Sequence, residues 1–593
     1  MSSSSGVVEA VESWPVYLVW FIHHNSYYNL RFHELEALAD LCGNVSKESL
    51  YAVEEDMKAT PTHPPTALVE SPWVYVRLPN DEVAKAIAER AVLVKAILSV
   101  WGTGKTIPET IEDVNKHMPR EKRRQIITDE LSFKYKLFAF GRKFTSRERQ
   151  ELMDSFGCLW DGDEKVDIEN AKTVLWLISE YEHTSGPGGA GNKKASKIKR
   201  HFCAREVGPV GGSSVNAFCG YLGPKSSLEM GGLESVAQPS GRVAAGRYED
   251  KQEPYFARYE LTCRPVLGPT SLDNELAFIM ANLAKIERGK IVYDCFVGTG
   301  GLALTASHFG AFVMGSDIDI RVLRGHRVAY ANEGKSPLLD AVPGDSGPKD
   351  ISIFRNFLCY GLARPEIIHA DMAAPFWRKD AKADGFVDVI LTDPPYGIRA
   401  GTKRVGAKTE HVIADRTTYV PQKVRYETNE VMDDLLQRAV HILVDNGMLV
   451  YLLPIELSQL FTPEELDVME KSQEMAGDNP AERTRKRKRK QEAAARGKVA
   501  ASTRVILRDE TVMMSRAGQG PKGEASSEGD AQCVQYRDVY APETARDLPF
   551  LTESNYLRLL PPCPKELEVV SVSLQILSAG LGRLVVSMRR LPR

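Results

Sequence analysis

Apolar and polar positions along the chain write out two α/β regions separated by polar tracts. In the first, Val16-Tyr-Leu-Val-Trp-Phe-Ile22 is a continuous apolar run that predicts a strand, leading into a helix around Leu30 to Cys42. Val74 to Leu78 predicts another strand, and a helical pattern runs from Glu82 to about Trp101. Ser132-Phe-Lys-Tyr-Lys-Leu-Phe-Ala-Phe140 alternates, which predicts a half-buried strand with Lys134 and Lys136 turned outward. Ser146 opens a helix through Phe156, and Thr173 to Ile178 reads as a further strand.

The second region resumes at Arg258-Tyr-Glu-Leu-Thr-Cys263. Thr270-x-x-Asp273 has the spacing of a capping box ahead of the apolar run Leu276 to Leu283, so a helix start is expected there. Strands are expected at Lys290 to Asp294, Ala311 to Gly315, Pro365 to Ala370, Phe386 to Leu391 and Met448 to Leu453. Ser571 to Ile576 and Gly582 to Met588, joined through Gly580 and Gly582, read as a closing hairpin. Strands that alternate with helices in this way predict an open α/β sheet.

The chemistry gathers at the predicted strand ends. Phe386 to Leu391 runs into Thr392-Asp393-Pro394-Pro395-Tyr396-Gly397. Asp393 and the Pro394 carbonyl can each accept a hydrogen bond from an amine on a planar ring, while Pro394 and Pro395 stiffen the backbone that aims them. Tyr396 can stack on the ring face. Drawing on both amine hydrogens localises the nitrogen lone pair and readies it to attack an electrophilic methyl group. A capped strand end before a proline-rich turn would use the same residues.

Upstream, Gly298-x-Gly300-x-x-Ala303 follows a strand and opens a helix predicted at Leu302 to Phe309, the form in which glycines let backbone approach a ligand. Asp317 stands 19 residues past Gly298, about where an acid meets ribose hydroxyls. Asp294, before the glycines, would repel a diphosphate and attract the sulfonium and ammonium charges of S-adenosylmethionine. Asp371 follows the next strand and suits an adenine amine. Open α/β sheets bind ligands at the carboxyl ends of their strands, and Asp294, Asp317, Asp371 and Asp393 all fall there.

Three stretches carry a family resemblance: Arg264-Pro-Val-Leu-Gly-Pro-Thr-Ser-Leu-Asp273, the Asp294 to Gly301 loop, and Thr392-Asp-Pro-Pro-Tyr-Gly-Ile-Arg399. Together they resemble the eukaryotic tRNA guanosine-10 N2-methyltransferase family, catalytic subunit. The likeness is loose from Trp14 to His183, close from Arg258 to Pro454, and returns from Leu574 to the C-terminus. It implies a Rossmann-like class I methyltransferase domain preceded by a smaller α/β THUMP-type RNA-binding region. It further implies that Thr270, Asp294, Gly298, Gly300, Asp317 and Asp371 line an S-adenosylmethionine site. Asp393, Pro394, Pro395 and Tyr396 would handle the guanine. Lys134 and Lys136, and the cations Arg399, Lys403 and Arg404 of the following loop, become candidates for tRNA phosphate contacts, although a solvated face needs such residues too. Cys295 stands where family members more often have proline. The resemblance also implies a small zinc-binding activator subunit in a heterodimer.

The expected organisation is an RNA-binding region at 14–185, a flexible linker at 186–255, and a methyltransferase domain at 256–593 interrupted by a disordered basic insertion at about 465–548. That insertion holds Arg483-Thr-Arg-Lys-Arg-Lys-Arg-Lys490, seven cations in eight residues, suited to RNA or to nuclear import. With a net charge of −3, RNA binding must rest on local patches. Nine cysteines without a Cys-x-x-Cys pair argue against a zinc site in this chain and suit a reducing, cytoplasmic setting, with the basic block able to add a nuclear pool. No apolar run approaches a membrane span, and the N-terminus lacks a signal-peptide pattern. Methylation of another tRNA guanosine, methylation of an adenine N6 amine, and a catalytically inactive RNA-binding scaffold are the competing readings.

Overall fold

The computed structural model describes residues 13–22, 30–51, 72–127, 132–140, 144–162, 164–168, 171–181, 197–209, 254–268, 271–324, 330–331, 352–374, 376–377, 385–395, 403–405, 423–460, 556–578 and 581–593. They divide into two units. The described residues of Met1–Asn25 and Leu38–Gly211 form one, and those of Ser26–Ala37, Gly212–Cys533 and Leu551–Arg593 the other.

The first unit is built on six strands, β1 (Val16–Phe21), β2 (Trp73–Arg77), β3 (Val94–Gly104), β4 (Phe133–Phe140), β5 (Thr173–Tyr181) and β6 (Ile198–Pro209), in the order β2-β1-β3-β6-β5-β4. Only β4 and β5 pair in parallel. Period-two patterning gives each strand two apolar faces. Leu18, Trp20, Trp73, Leu98, Trp176 and Phe202 pack on one side. On the other, Trp101, Leu175 and Leu177 meet Val114, Leu152 and Phe156 from helices. Those helices start at capped positions. Thr106 accepts from the Glu109 amide to open α3 (Ile107–His117), after α1 (Leu30–Gly43) and α2 (Asp81–Arg90). α4 is Arg120–Ile126, and a Thr145–Glu148 capping box starts α5 (Ser146–Phe156).

Two sequence expectations change here. The helix expected from Glu82 to Trp101 stops at Arg90, and Val94 onward is strand β3. The β-branched and aromatic residues Val94, Ile97, Val100 and Trp101 suit a strand held between β1 and β6. Residues 198–209, expected within the linker, form β6 in the middle of the sheet. A run of cations such as Lys197, Lys199 and Arg200 reads by itself as a solvated tether. Instead, Arg200 Nε donates to Glu180 Oε2 at 2.7 Å and Lys199 Nζ to Oε1 at 3.3 Å, so Glu180 of β5 neutralises them across the ladder.

The second unit holds a seven-stranded sheet made of β8 (Ile291–Asp294), β9 (Phe312–Asp317), β11 (Glu366–His369), β12 (Val387–Thr392), β15 (Leu443–Glu456), β16 (Leu567–Ser578) and β17 (Leu581–Arg590). Its order is β11-β9-β8-β12-β15-β17-β16. β11 through β15 run parallel, and β16 and β17 close the sheet as an antiparallel hairpin. The chain winds outward from β8 through β9 to β11, then returns to lay β12 on the other side of β8. The strand order reverses between β8 and β12, the switch point at which open α/β sheets bind ligands. This is the Rossmann-like α/β architecture that the resemblance implies.

Short pairs β7 (Val266–Leu267) with β10 (Tyr330–Ala331), and β13 (Lys403–Val405) with β14 (Lys423–Arg425), lie outside the main sheet. The unit's helices are α6 (Asn274–Leu283), α7 (Gly301–His308), α8 (Ile353–Cys359) and α9 (Thr428–Ile442). α6 is buried all round, and its N-cap is Asp273, which accepts from the Leu276 amide at 3.3 Å. The capping box expected from Thr270 is therefore displaced to Asp273, and Thr270 lies outside the described residues. The first turns of α1 also belong to this unit. Glu34 accepts from Asn282 Nδ2 at 2.7 Å, and His33 Nδ1 lies 2.5 Å from Ser573 Oγ. The insertion expected at 465–548, with Arg483–Lys490, lies outside the described residues. Among the described residues, no helix is long and apolar enough to cross a membrane.

Candidate active site

Four acids stand on four adjacent parallel strands. In spatial order they are Asp371 just past β11, Asp317 at the end of β9, Asp294 at the end of β8 and Asp393 just past β12. Strand register brings their levels together. Asp294 pairs with Gly315 and His369 with Asp317, while Tyr293 pairs with Ile390. Asp317 and Asp393 thus each reach about two residues beyond Asp294, one on either side of it.

Asp294 is the most enclosed of the four, 3% exposed. Its Oδ1 accepts from Thr392 Oγ1 at 2.7 Å and from the Phe296 amide at 3.1 Å. Burial pushes its carboxyl up to about 7, and the negative charges of Asp393 and Asp317 add to the rise. The two hydrogen bonds work against it. A buried acid crowded by like charges is a site short of positive charge, and a cationic group relieves what a diphosphate would worsen.

The glycine loop follows from β8. Gly298 and Gly300 adopt φ of 50° and 85°, which glycine takes without Cβ strain, and a side chain at Gly300 would meet Ile353 at 3.0 Å. At Gly298 a Cβ would find only Phe296 O, at 3.9 Å, so the loop's outer surface stays open to a ligand. Asp317 holds the loop from the next strand, with Oδ2 accepting from the Gly298 amide at 3.0 Å and Oδ1 from the Asp319 amide at 2.8 Å. Asp371 Oδ1 accepts from the Ala373 amide at 3.0 Å, which orients it at its strand end.

Asp393, Pro394 and Pro395 continue directly from β12, with Pro394 buried. Tyr396 and Arg399 lie outside the described residues. Lys403 and Arg404 sit on β13, and Arg404 pairs with Glu430 at 3.0 Å and stands 5.5 Å over the Tyr426 ring. Lys134 and Lys136 belong to β4 of the other unit. Lys134 Nζ donates to the Ile168 carbonyl at 3.3 Å, and Lys136 Nζ lies 5.1 Å over the Trp176 ring. The structure therefore gathers the four acids and the two glycines, and leaves those lysines on a separate scaffold.

Two residues of this site carried no sequence signal. Asn356 of α8 is fully buried, and its side chain acts as a strand partner for Val266, accepting from its amide at 2.8 Å and donating to its carbonyl at 2.9 Å. The same Nδ2 reaches the Thr299 carbonyl of the glycine loop at 3.1 Å, so α8 fixes that loop from behind. Arg438 of α9 donates to the Met372 carbonyl at 3.0 Å and braces the turn after Asp371. An amide in a helix 90 residues from its strand partner follows no local pattern.

Comparison with known proteins agrees with this geometry. The Tmrp11 THUMP N-terminal domain matches residues 15–205. The chain is 28% identical over 455 residues to a Dictyostelium discoideum protein, tRNA (guanine(10)-N(2))-methyltransferase TRMT11, covering 74% of each. Over most of its length the chain is similar to TRMT11 proteins. The Bos taurus and Homo sapiens proteins of the same name are 29% and 28% identical, over 68% of this chain and 73% of theirs. The THUMP N-terminal domain match, from residue 15 to residue 205, also spans most of β6 and runs into the stretch expected as linker.

Proposed function

We propose that the chain is a tRNA (guanine-N2-)-methyltransferase, the catalytic subunit that methylates the exocyclic amine of guanosine 10, with S-adenosylmethionine as methyl donor. The observation that carries this reading is the alignment of Asp371, Asp317, Asp294 and Asp393 on neighbouring strand ends, with Asp393-Pro394 beside the buried Asp294. When bound, S-adenosylmethionine supplies an activated methyl group on a sulfonium that is already a good leaving group. The residues fit it. Asp294 suits its cationic amino-acid end, Asp317 its ribose, Asp371 its adenine amine, and the open face of Gly298 lets backbone lie close.

The chain's own task is then to hold the acceptor. The THUMP-type unit grips folded tRNA through backbone and shape, with Lys134 and Lys136 as phosphate contacts. The target guanosine leaves its stack and lies against Tyr396. Asp393 and the Pro394 carbonyl accept from its N2 amine, and Asp393 takes the surplus proton. Arg399, Lys403 and Arg404 secure the backbone beside the flipped base. Positioning and electrostatics supply most of the acceleration.

A small zinc-binding activator completes the enzyme as a heterodimer. β11 is the open edge of the sheet, with half-exposed Ile367 and Ile368, and Phe312 and Leu358 of the same unit are exposed, 63% and 44%, which suits cover by a partner. The site of action is the cytoplasm, with Arg483–Lys490 adding a nuclear pool.

The test is to co-express the chain with its activator, incubate it with S-adenosylmethionine and unmodified tRNA, and map N2-methylguanosine. Methylation at guanosine 10 that disappears in Asp393→Ala is the expected result. Methylguanosine elsewhere moves the activity to another tRNA position. Methyladenine, or no methylation with or without cofactor binding, overturns the reading.

A further inference from the structure

Thr392 occupies an unusual junction in this site. It is the last residue of β12, the peptide neighbour of Asp393, and fully buried. Its Oγ1 donates to Asp294 Oδ1 at 2.7 Å, across the strand pair that separates the two halves of the sheet. The Phe296 amide meets the same Oδ1, and among the described residues none donates to Oδ2. Both anchors therefore hold one carboxylate oxygen and leave the other for a ligand.

Behind the hydroxyl stands Cys295, whose Sγ lies 3.6 Å from Thr392 Oγ1 as a donor. Burial pushes that thiol up to about 12, and the neighbouring Asp294 adds to the rise, so it remains protonated and able to donate. Thiol, hydroxyl and carboxylate form a directed chain in which the threonine proton is committed to Asp294.

We propose that Thr392 is a positioning residue for the methyl-donor site, holding Asp294 with Oδ2 toward the bound cation and setting that acid in fixed register with Asp393. The inference rests on the reading of this pocket as an S-adenosylmethionine site. The charged and polar groups that face Asp294 are Asp317 from β9, Asp393 and Thr392 from β12, and Cys295 and the Phe296 amide from its own loop. Among the described residues, the Thr392 hydroxyl is the one side-chain donor to the Asp294 carboxylate, and its hydrogen bond favours the charged form. Its loss should both loosen the acid and make it harder to ionise.

The experiment compares the full-length wild type with Thr392→Val, Thr392→Ala and Thr392→Ser. Dissociation constants for S-adenosylmethionine are measured by calorimetry across pH, alongside melting temperature and the KM for tRNA. Loss of the hydroxyl in Val and Ala is expected to weaken binding about tenfold or more and to move the pH midpoint of binding upward. Thr392→Ser is expected to bind within about twofold of wild type, with the KM for tRNA unchanged in all three. Ala removes the hydroxyl without the buried methyl groups of Val, so either variant suffices if the other fails to fold. Val or Ala binding with wild-type affinity and midpoint overturns the proposal, as does Ser binding no better than Val. A wild-type protein that binds no S-adenosylmethionine at any pH instead brings down the functional reading itself.

Discussion

Each unit buries a carboxylate within its sheet, and the two are treated in opposite ways. In the THUMP-type unit, Glu180 is 2% exposed and meets Arg200 and Lys199 of the adjacent strand. Nearby polar groups are matched as well, with Trp176 Nε1 donating to Glu206 at 2.5 Å and Ser179 Oγ lying 2.8 Å from His201 Nδ1. In the catalytic unit, Asp294 is equally enclosed, yet the charges that bear on it most, Asp393 and Asp317, share its sign. A buried charge answered by its complement is scaffold, complete in itself. One opposed by its like awaits a ligand, and the fold carries the cost until the ligand arrives.

The largest effect should come from breaking the paired acid. Glu180→Ala leaves Arg200 buried without its carboxylate and is expected to cost about 3–5 kcal/mol, read as a fall in melting temperature. A melting temperature close to wild type would erase the contrast between the units. Next, on the proposed reading of Asp393 as acceptor for the reacting amine, Asp393→Ala should lower kcat by about 10²–10³ with melting temperature and S-adenosylmethionine binding retained. An equal loss of stability would make Asp393 scaffold like Glu180.

The unpaired acid has a signature in pH. The Asp294 carboxyl rises from 3.8 in the unfolded chain to about 7 in the fold. The ligand-free protein is therefore favoured below about 4 and loses stability as pH rises through 7. A bound cation reverses the preference. Affinity for S-adenosylmethionine is expected to climb by up to about tenfold per unit of rising pH and level off above 7. Asp294→Asn should flatten that profile, weaken binding, and raise the melting temperature above pH 7, which a melt series at acid and mildly alkaline pH would check. A profile flat in the wild type would place Asp294 away from the cation. The smallest effect belongs to Lys134→Ala with Lys136→Ala, expected to weaken tRNA binding a few-fold and lower its salt dependence by about one to two charges.

What was legible in the chain follows the same division. The strand-end placement of Asp294, the glycines, Asp317, Asp371 and Asp393 is legible because an apolar run followed by an acid or a glycine marks a strand's end locally. Helix Ser146–Phe156 was readable with both ends, since Thr145 and Glu148 mark its start locally. β6 was not, because the residue that makes its cations tolerable is Glu180, on another strand. Val94–Gly104 was misread as helix for a related reason: Ala91, Lys95 and Ala96 extend a helical pattern, and only pairing on both sides by β1 and β6 selects the strand. Asn356 went unseen because its partners, Val266 and Thr299, are brought to it only by the completed fold. Local rules decide motifs, and distant partners decide which polar residues a core can keep.

The helix at Leu30 carries a consequence for how the molecule is made. Glu34 answers Asn282 across 248 residues, and His33 answers Ser573 across 540, so the catalytic unit is assembled from segments far apart in the chain. During synthesis its earliest turns leave the ribosome long before the closing hairpin exists to receive them. The THUMP-type unit can fold while they wait. The catalytic unit is finished only after that hairpin has been made, and a fragment beginning at the glycine-loop region would lack the helical turns contributed from Ser26–Ala37.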